Sequence, residues 1–518
     1  MIIYRPAVLS CNYITTRNKR TAVLYARQFY LLDFYLKIVY DIINNFRLVA
    51  IMKMIFEGDK FVQTVLGKKQ IDENAVYKWS QFTVFHTCDG ADYLYNNFTK
   101  VIYRLEDESF TYNTDERISG ADIAADKALA ELAAESFLVQ EDKDEDSIYL
   151  SFCKISRAMR TKRDGFSLYT ILPTTACNAR CVYCFEQGMK FVTMKDDTVD
   201  QTIEFIKKSH NPKKPVRFSW FGGEPLVGEK IIDRICDGMR EAGIEFDSNM
   251  VTYSALITED TIKKMKNDWN LTTMQITLDG VEEEYNRRKN YIFQYDSAYW
   301  HVLSRIKLVN ENDISLSIRV NVDLDNVDGV VQMAGDLKNF IVKPGIVSIY
   351  LAPLFDLQAS TGAGEIWKKS FNVMAELEKM GFRVGYHSSI SKTKDHYCMA
   401  DAPYEAIVVS PEGKLHNCEH IGDIPPYGDV WTGVTNTELV KKLFSVEPVQ
   451  EMCRGCFALP HCTTFTGCDH ARVDCRYAAR MNMERGLDRA IRRLSKNPES
   501  PDAPDENENE VMDSDINC

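Results

Sequence analysis

Cys177-Asn178-Ala179-Arg180-Cys181-Val182-Tyr183-Cys184 places three thiols within eight residues, spaced x3 then x2. Thiols at that spacing can converge on one side of a loop. Three thiolates would saturate three irons of a cubane [4Fe–4S] cluster and leave the fourth iron open. An open metal position is what a catalytic site keeps and a structural site closes. A three-thiol zinc site and three unrelated buried cysteines are the competing readings. Zinc fits less well, because a zinc knuckle pairs its thiols at x2 and wants a fourth ligand nearby, and no His or Cys follows closely.

Other residues along the chain could serve the same site. In Trp220-Phe221-Gly222-Gly223-Glu224-Pro225 the paired glycines offer bare backbone that a ligand can approach, although such a pair alone is more often a plain turn. Thr277-Leu278-Asp279-Gly280 puts Thr277 and Asp279 on one face of a strand end, where a carboxylate can hold ribose hydroxyls. Arg319 and Asn321 share a strand face in the same way. Seven cysteines then crowd the stretch 398–475: Cys398, Cys418, Cys453, Cys456, Cys462, Cys468 and Cys475. Four thiolates close one cubane cluster, so seven thiols cannot close two. One iron would be open or bound by another group, with His416, His420 and Asp469 at hand. An open iron suits a soft substrate thiolate. A zinc ribbon on Cys453, Cys456, Cys462 and Cys468 is the alternative. Cys11, Cys88, Cys153, Cys236 and Cys518 are scattered and read as structural or free thiols.

The Cys-x3-Cys-x-aromatic-Cys pattern, with Tyr183 as the aromatic, resembles the signature of the radical S-adenosylmethionine (SAM) enzymes. The resemblance implies that Cys177, Cys181 and Cys184 hold a [4Fe–4S] cluster whose open iron binds the amino and carboxylate groups of SAM. It implies reductive cleavage of SAM to a 5′-deoxyadenosyl radical, with Tyr183 part of the cofactor site. Gly222, Gly223, Glu224 and Pro225 look like the family motif that contacts the SAM amino group. Thr277 stands where similar members carry Ser before x-Asp-Gly. Arg319-x-Asn321 resembles an Arg-x-Asn whose Arg meets the SAM carboxylate. One strand departs: many relatives have Thr-Asn-Gly where this chain has Thr252-Tyr253-Ser254. The seven-cysteine field resembles the SPASM extension, which carries two auxiliary [4Fe–4S] clusters. That implies Cys453, Cys456, Cys462 and Cys475 around one cluster and Cys398, Cys418 and Cys468 around the other. Relatives usually place three residues between the fifth and sixth cysteines, and here Thr463 to Gly467 makes five.

Strands and helices must bring these residues together. Phe166–Pro173 reads as a buried strand ahead of the cysteine loop. Further strands are predicted over Val216–Phe221, Met250–Ser254, Met274–Leu278, Leu316–Val322 and Ile346–Leu351. Helices alternate with them over Val199–Ser209, Glu229–Ala242, Glu259–Lys266, Tyr299–Asn310 and Val327–Asn339. This is the rhythm of a parallel sheet with right-handed crossovers, hence an α/β fold. The resemblance implies a partial (β/α)6, TIM-like radical SAM barrel over 160–385, with ligands at the carboxyl ends of its strands.

Smaller units are expected on either side. Over 54–150 a small N-terminal α+β domain is predicted from strand-like Phe82–Phe85 and Val101–Leu105, the Asp89-Gly90 turn and an Ala/Leu-rich helix over Ala121–Phe137. It resembles the N-terminal domain of peptide-maturing radical SAM enzymes, which implies that it can hold a substrate leader by strand addition. A plain cap on the barrel is the alternative. A C-terminal Cys-rich iron–sulfur (SPASM) domain is expected over 390–480, where a Glu412-Gly413 turn makes a hairpin whose ends deliver Cys398 and Cys418. An Arg-rich helix over Met481–Leu494 should pack back on the body.

Composition bounds the rest. With 518 residues, 45% hydrophobic and 26% charged, the chain reads as a globular protein of two or three domains. A net charge of −13 argues against nucleic acid as a partner. Fifteen cysteines without a secretory signal point to the reducing cytoplasm, where clustered thiols read as metal ligands. Residues 1–53 are an atypical extension, and a natural start at Met52 or Met54 is expected. Its apolar stretch Leu24–Met52 is interrupted by charge too often for a membrane span. Residues 495–518 read as a disordered acidic tail, since Pro498–Cys518 carries eight acidic residues, three prolines and no base.

Taken together, the resemblance implies an oxidoreductase that matures a ribosomally made peptide, forming a Cys thioether or another crosslink. The implied partners are a Cys-containing precursor peptide and an electron donor such as flavodoxin or ferredoxin, with neither nucleic acid nor membrane. An anaerobic sulfatase-maturing type of enzyme, making formylglycine, is the alternative. It wants a base carboxylate that the sequence does not reveal. An iron–sulfur electron carrier or a zinc-dependent binding module would need neither an open three-cysteine site nor a Gly-Gly-Glu-Pro after it.

Overall fold

The computed structural model describes residues 52–496 apart from 68, 107–112, 161–164, 294, 355–362, 386–389, 391, 394–404, 423–424, 445–452 and 462–474. The expectations for residues 1–51 and for the acidic tail beyond 496 lie outside the described residues.

Seven short strands open the described chain: β1 (Met52–Phe56), β2 (Val76–Trp79), β3 (Thr83–Cys88), β4 (Ala91–Asn96), β5 (Ile102–Leu105), β6 (Ile118–Ser119) and β7 (Leu138–Gln140). They pair as two sheets, ordered β1-β5-β4-β3 and β6-β2-β7. The first strand begins at Met52, two residues before the expected boundary, because Met52 and Lys53 pair with Leu105 and Arg104. Asp89 and Gly90, at φ +49° and +77°, make the tight turn between β3 and β4. Helices α1 (Lys60–Leu66), α2 (Gly120–Ala125), α3 (Lys127–Ala134) and α4 (Glu145–Arg160) complete the unit. The single helix expected over Ala121–Phe137 is two helices. Asp126 sits extended between them and its carboxylate accepts the N–H groups of Ala128 and Leu129 at 2.9 and 3.1 Å, which starts α3 afresh.

The centre of the molecule is one long sheet. Strands β8 (Leu168–Ile171), β9 (Val216–Trp220), β10 (Phe246–Thr252), β11 (Leu271–Thr277), β12 (Ser315–Val322), β13 (Val347–Pro353) and β14 (Arg383–Val384) run parallel and pair in chain order. Between them come α5 (Asp196–Ser209), α6 (Glu229–Glu241), α7 (Glu259–Asn267), α8 (Glu282–Lys289), α9 (Ala298–Glu311), α10 (Val330–Lys338) and α11 (Ala363–Lys379). One face of the sheet is apolar and packs with these helices in a single core, through Phe218, Trp220, Met250, Ile276, Ile318 and Ile349 among others. The other face is polar and cross-paired in register. Arg217 grips Asp247 at 2.6 and 3.0 Å, Ser219 donates to Asn249 at 2.8 Å, and Tyr350 donates to Gln275 at 2.6 Å. Strand β10 therefore starts four residues earlier than predicted, since Asp247 and Asn249 look polar in sequence but face this side.

The C-terminal cysteine region is not a separate lobe in the described residues. Strand β15 (Ala406–Val409) adds parallel to β8 at the edge of the central sheet, followed by β16 (Lys414–His416), β17 (Gly428–Asp429) and β18 (Gly433–Val434). The expected hairpin is present between β15 and β16. Gly413, at φ +74°, donates to Ser410 O at 2.9 Å across its turn. Helix α12 (Thr437–Phe444) follows, and then α13 (Cys475–Lys496). This last helix lays Met483, Leu487, Ala490, Ile491 and Leu494 against Val84, Tyr93, Tyr95 and Ile102 of the N-terminal sheet. Arg492 adds a two-pronged pair with Asp89 at 3.0 Å, and His86 meets Asp488 at 2.8 Å. The helix thus does pack back on the body, through the N-terminal unit. No helix among the described residues is long and apolar enough to cross a membrane.

Because Leu487 is fully buried in that contact, Leu487→Ala should lower unfolding stability by about 2–5 kcal/mol. Denaturant unfolding would check this, with a loss under about 1 kcal/mol contradicting the packing described.

Candidate cofactor site

Strand β8 ends at Ile171 and the chain turns into the cysteine loop. Thr174 and Thr175 fasten its base. Their hydroxyls donate to Val192 O at 3.0 Å and Lys190 O at 2.8 Å, and Met194 N–H returns to Pro173 O at 3.0 Å. Within the loop Cys177, Cys181 and Cys184 are all partly buried. Burial pushes each thiol up, Cys177 to about 12. A thiol raised in this way is a weak nucleophile, and binding a metal would displace its proton. No three His, Cys, Asp or Glu side chains among the described residues close on a single ion. A four-iron cluster, unlike one zinc, takes its three thiolates on three different irons.

Two neighbours brace the loop. On one side Gly223 and Glu224 donate their N–H groups to Thr174 O and Ala176 O at 3.2 and 3.0 Å. A Cβ on Gly222 would stand 2.3 Å from Thr174 O, and one on Gly223 would stand 2.4 Å from Thr175 O. The glycines are needed here because they pack on the cysteine loop, not merely to let a ligand approach. On the other side the end of α8 accepts two loop amides: Arg180 N–H on Lys289 O at 3.0 Å and Val182 N–H on Arg288 O at 3.2 Å.

Several residues expected to touch the cofactor are spent on the protein itself. Glu224 has no exposed surface. It accepts Thr252 Oγ1 at 2.8 and 2.9 Å, Leu226 N–H at 3.0 Å and Tyr253 N–H at 3.2 Å. Pro225 is buried as the first residue of the 3-10 turn that Glu224 caps. Asp279 is likewise fully buried, with Oδ1 accepting Asn321 N–H at 2.9 Å and Oδ2 accepting the Tyr183 hydroxyl and facing Lys289 Nζ at 3.1 Å. In this arrangement the carboxylate expected on a ribose binds Tyr183 and Lys289 instead. Thr277, Arg319 and Tyr350 lie side by side in register, with Arg319 donating to Asn321 Oδ1 at 2.9 Å. Arg319 and Asn321 do share a strand face, as predicted.

The fit to a polar ligand rests on what is left over. Among the described residues, Asn178 Oδ1 and Nδ2, Tyr253 OH and Ser254 Oγ are buried at this end of the sheet without a hydrogen-bond partner. Buried polar atoms left this way cost stability unless a bound group completes them. Donors and acceptors of this kind, beside three thiols, suit SAM and an iron–sulfur cluster. Tyr253 and Ser254 fall on the strand that departs from the family pattern, so their place was legible and their role was not. Lys289 and Glu186 were missed. Lys289 ends a Glu/Arg/Lys-rich stretch that reads as a solvated helix face. Glu186 lies two residues past Cys184, and its burial pushes its carboxyl up to about 7.

The second cysteine field divides in space. Cys418 is buried just after β16, in a loop whose His420 ring lies 4.2 Å from that of Phe185 in the first cysteine loop. Its neighbours His416 and His420 are buried as well. Cys453 and Cys456 are buried elsewhere, among Phe82, Phe98, Tyr149 and Phe152 of the N-terminal unit. Cys475 opens α13. Cys398, Cys462, Cys468 and Asp469 lie outside the described residues, so neither ligand set is complete among the described residues. Cys88 and Cys236 are buried outside that aromatic cluster, whereas Cys153 is buried within it, together with Cys453 and Cys456.

Burial raises the Glu224 carboxyl from 4.5 to about 7. In the unfolded chain the same group loses its proton near 4.5, so stability conferred by the protonated form is present below that pH. It is lost as pH rises towards about 7, and the curve flattens above. Glu224→Gln carries no such proton and should flatten the pH dependence of unfolding across this window. Parallel denaturant curves at the two ends of the window, on the metal-free chain, would show equal slopes for both proteins if the expectation fails.

Residues 171–337 match the Radical SAM superfamily. A GTP 3′,8-cyclase from Clostridium perfringens (strain SM101 / Type A) is 27% identical over 272 residues, 48% of this chain and 78% of that protein. The radical SAM cyclopropyl synthase TigE of Paramaledivibacter caminithermalis is 22% identical over 291 residues, 52% of this chain and 57% of that protein. Among solved structures, native anSMEcpe with bound AdoMet and a Cp18Cys peptide aligns with a TM-score of 0.47 at 16% identity, over 64% of this chain and 98% of that one. Streptococcus suis SuiB aligns with a TM-score of 0.44 at 13% identity, over 76% and 95%. The matched segment, residues 171–337, contains the cysteine loop, the Gly222-Gly223 brace and buried Asp279, so the likeness to the Radical SAM superfamily falls on the residues that build this site.

Proposed function

We propose that the chain matures a ribosomally made peptide, and that Cys177, Cys181 and Cys184 hold the SAM-binding [4Fe–4S] cluster. The observation that carries the cluster assignment is the three-thiol loop pinned between the Gly222-Gly223 turn and the end of α8. When bound there, the reduced cluster and SAM supply hydrogen-atom abstraction from an unactivated carbon. The chain's own part is to orient and exclude water. Asn178, Tyr253 and Ser254 offer hydrogen bonds to SAM from the loop and the end of β10, Arg319 faces its carboxylate, and Tyr183 is held in place by Asp279. The polar sheet face forms the wall beneath.

Two auxiliary clusters are part of this reading, on Cys453, Cys456, Cys462 and Cys475 and on Cys398, Cys418 and Cys468. The burial of Cys418 beside the first loop, and of Cys453 and Cys456 on the N-terminal unit, supports two separate groups. A peptide substrate is supported by the N-terminal unit, where β1 pairs with β5 alone among the described strands and leaves an edge for strand addition. The same unit also holds a cavity of about 430 Å³ lined by Phe82, Phe98, Phe152 and Lys69. A Cys-containing precursor peptide, joined through a thioether, is the substrate this reading names. Flavodoxin or ferredoxin is its electron donor.

Anaerobic reconstitution tests the assignment. Replacing Cys177, Cys181 and Cys184 together by Ala should remove about one cluster of three and abolish 5′-deoxyadenosine formation under dithionite. Persistence of 5′-deoxyadenosine in that variant would refute it. Mass spectrometry of a treated Cys peptide separates the products. A crosslink removes two hydrogens and keeps every sulfur, whereas a formylglycine made from Cys expels its sulfur.

A further inference from the structure

Lys289 belongs to none of the motifs, yet it is a buried cation beside the cysteine loop. Only 4% of its side chain is exposed. Its ammonium lies 3.1 Å from Asp279 Oδ2 and donates to the Tyr183 hydroxyl at 2.9 Å. The rings of Tyr183 and Tyr285 stand 5.5 and 5.9 Å from it. Its backbone carbonyl takes the Arg180 N–H, so one residue holds the loop through its main chain and its side chain together. Arg288, next to it, is spent differently, on Glu284 and on Asp323 at 2.6 Å, and serves to fix the end of α8.

A charge this deep is weakly screened, so it acts on whatever the thiols hold. The Asp279 carboxylate lies 3.1 Å from the Lys289 ammonium. The ammonium and carboxylate therefore form an oriented pair beside the loop. Reduction adds negative charge to a cluster, and a nearby buried cation favours the form that is more negative.

We propose that Lys289 is a positioning residue that holds Tyr183 and the cysteine loop and, through its buried ammonium, raises the reduction potential of the cluster on Cys177, Cys181 and Cys184. The role rests on those three cysteines being the ligands. A purely structural lysine would hold the loop but leave the potential alone. The charge role requires that removing the cation and removing its counter-charge act in opposite directions.

The test is a redox titration of the anaerobically reconstituted full chain, followed by electron paramagnetic resonance with iron content measured alongside. Lys289→Met should lower the midpoint so that the oxidised-to-reduced ratio at a fixed potential rises tenfold or more, 59 mV for a one-electron couple. Asp279→Asn should move it the other way, and Lys289→Arg should stay close to the unaltered chain. Equal midpoints in all four proteins at equal iron content would overturn the proposal. Loss of iron from Lys289→Arg as well as from Lys289→Met would overturn it too, since charge would then not suffice. Iron retained in full after Cys177, Cys181 and Cys184 are replaced is a different failure, that of the ligand assignment.

Discussion

Two carboxylates without any exposed surface organise this end of the molecule, Glu224 after β9 and Asp279 after β11. A buried carboxylate is tolerated only where donors converge on it. Each of these gathers donors from a neighbouring element: Glu224 from Thr252 and Tyr253 at the end of β10, Asp279 from Asn321 on β12, Tyr183 in the cysteine loop and Lys289 at the end of α8. The strand ends are thereby tied to one another and to the loop. Removing either acid would leave several donors unpaired at once, which costs far more than the loss of one hydrogen bond. The three thiols keep their relative places because these two anchors do not move.

Much of the fold was legible because its apolar periodicity is clear. The α/β alternation and helices α5, α6, α7, α9 and α10 follow from the buried Val, Ile, Met and Phe of the central core. What escaped was polar. Asp247, Ser248 and Asn249 lengthen β10, and a strand whose other face is lined by Arg217, Ser219, Gln275 and Tyr350 tolerates them. The break at Asp126 escaped because a capping carboxylate inside an Ala/Leu run looks like an ordinary helix residue until its φ is seen. Helix α8 was missed because Glu282 to Lys289 has almost no apolar face, yet its Arg288 and Lys289 are buried.

The candidate site was legible in kind and misread in part. Spacing alone located the cysteines, and the paired glycines were found beside them. Spacing could not tell that Glu224 and Asp279 point inward, since a buried acid and a ligand-binding acid have the same letter. Nor could it tell that Cys418 sits with the central sheet while Cys453 and Cys456 sit in the core of the N-terminal unit. A run of cysteines suggests one domain. Here the parallel addition of β15 to β8 places Cys418 by the central sheet, while Cys453 and Cys456 lie in the core of the N-terminal unit.

The polar face of the sheet bears on what such a site can recognise. Arg217 pairs with Asp247 and Ser219 with Asn249 across adjacent strands, and Tyr350 on β13 reaches past β12 to Gln275 on β11. Networks satisfied in this way are stiff and offer few strong sites to a ligand. The buried atoms near them that have no partner among the described residues, on Asn178, Tyr253 and Ser254, cluster instead where the strands end. Recognition is thus confined to the loop end of the sheet, as in other parallel α/β folds.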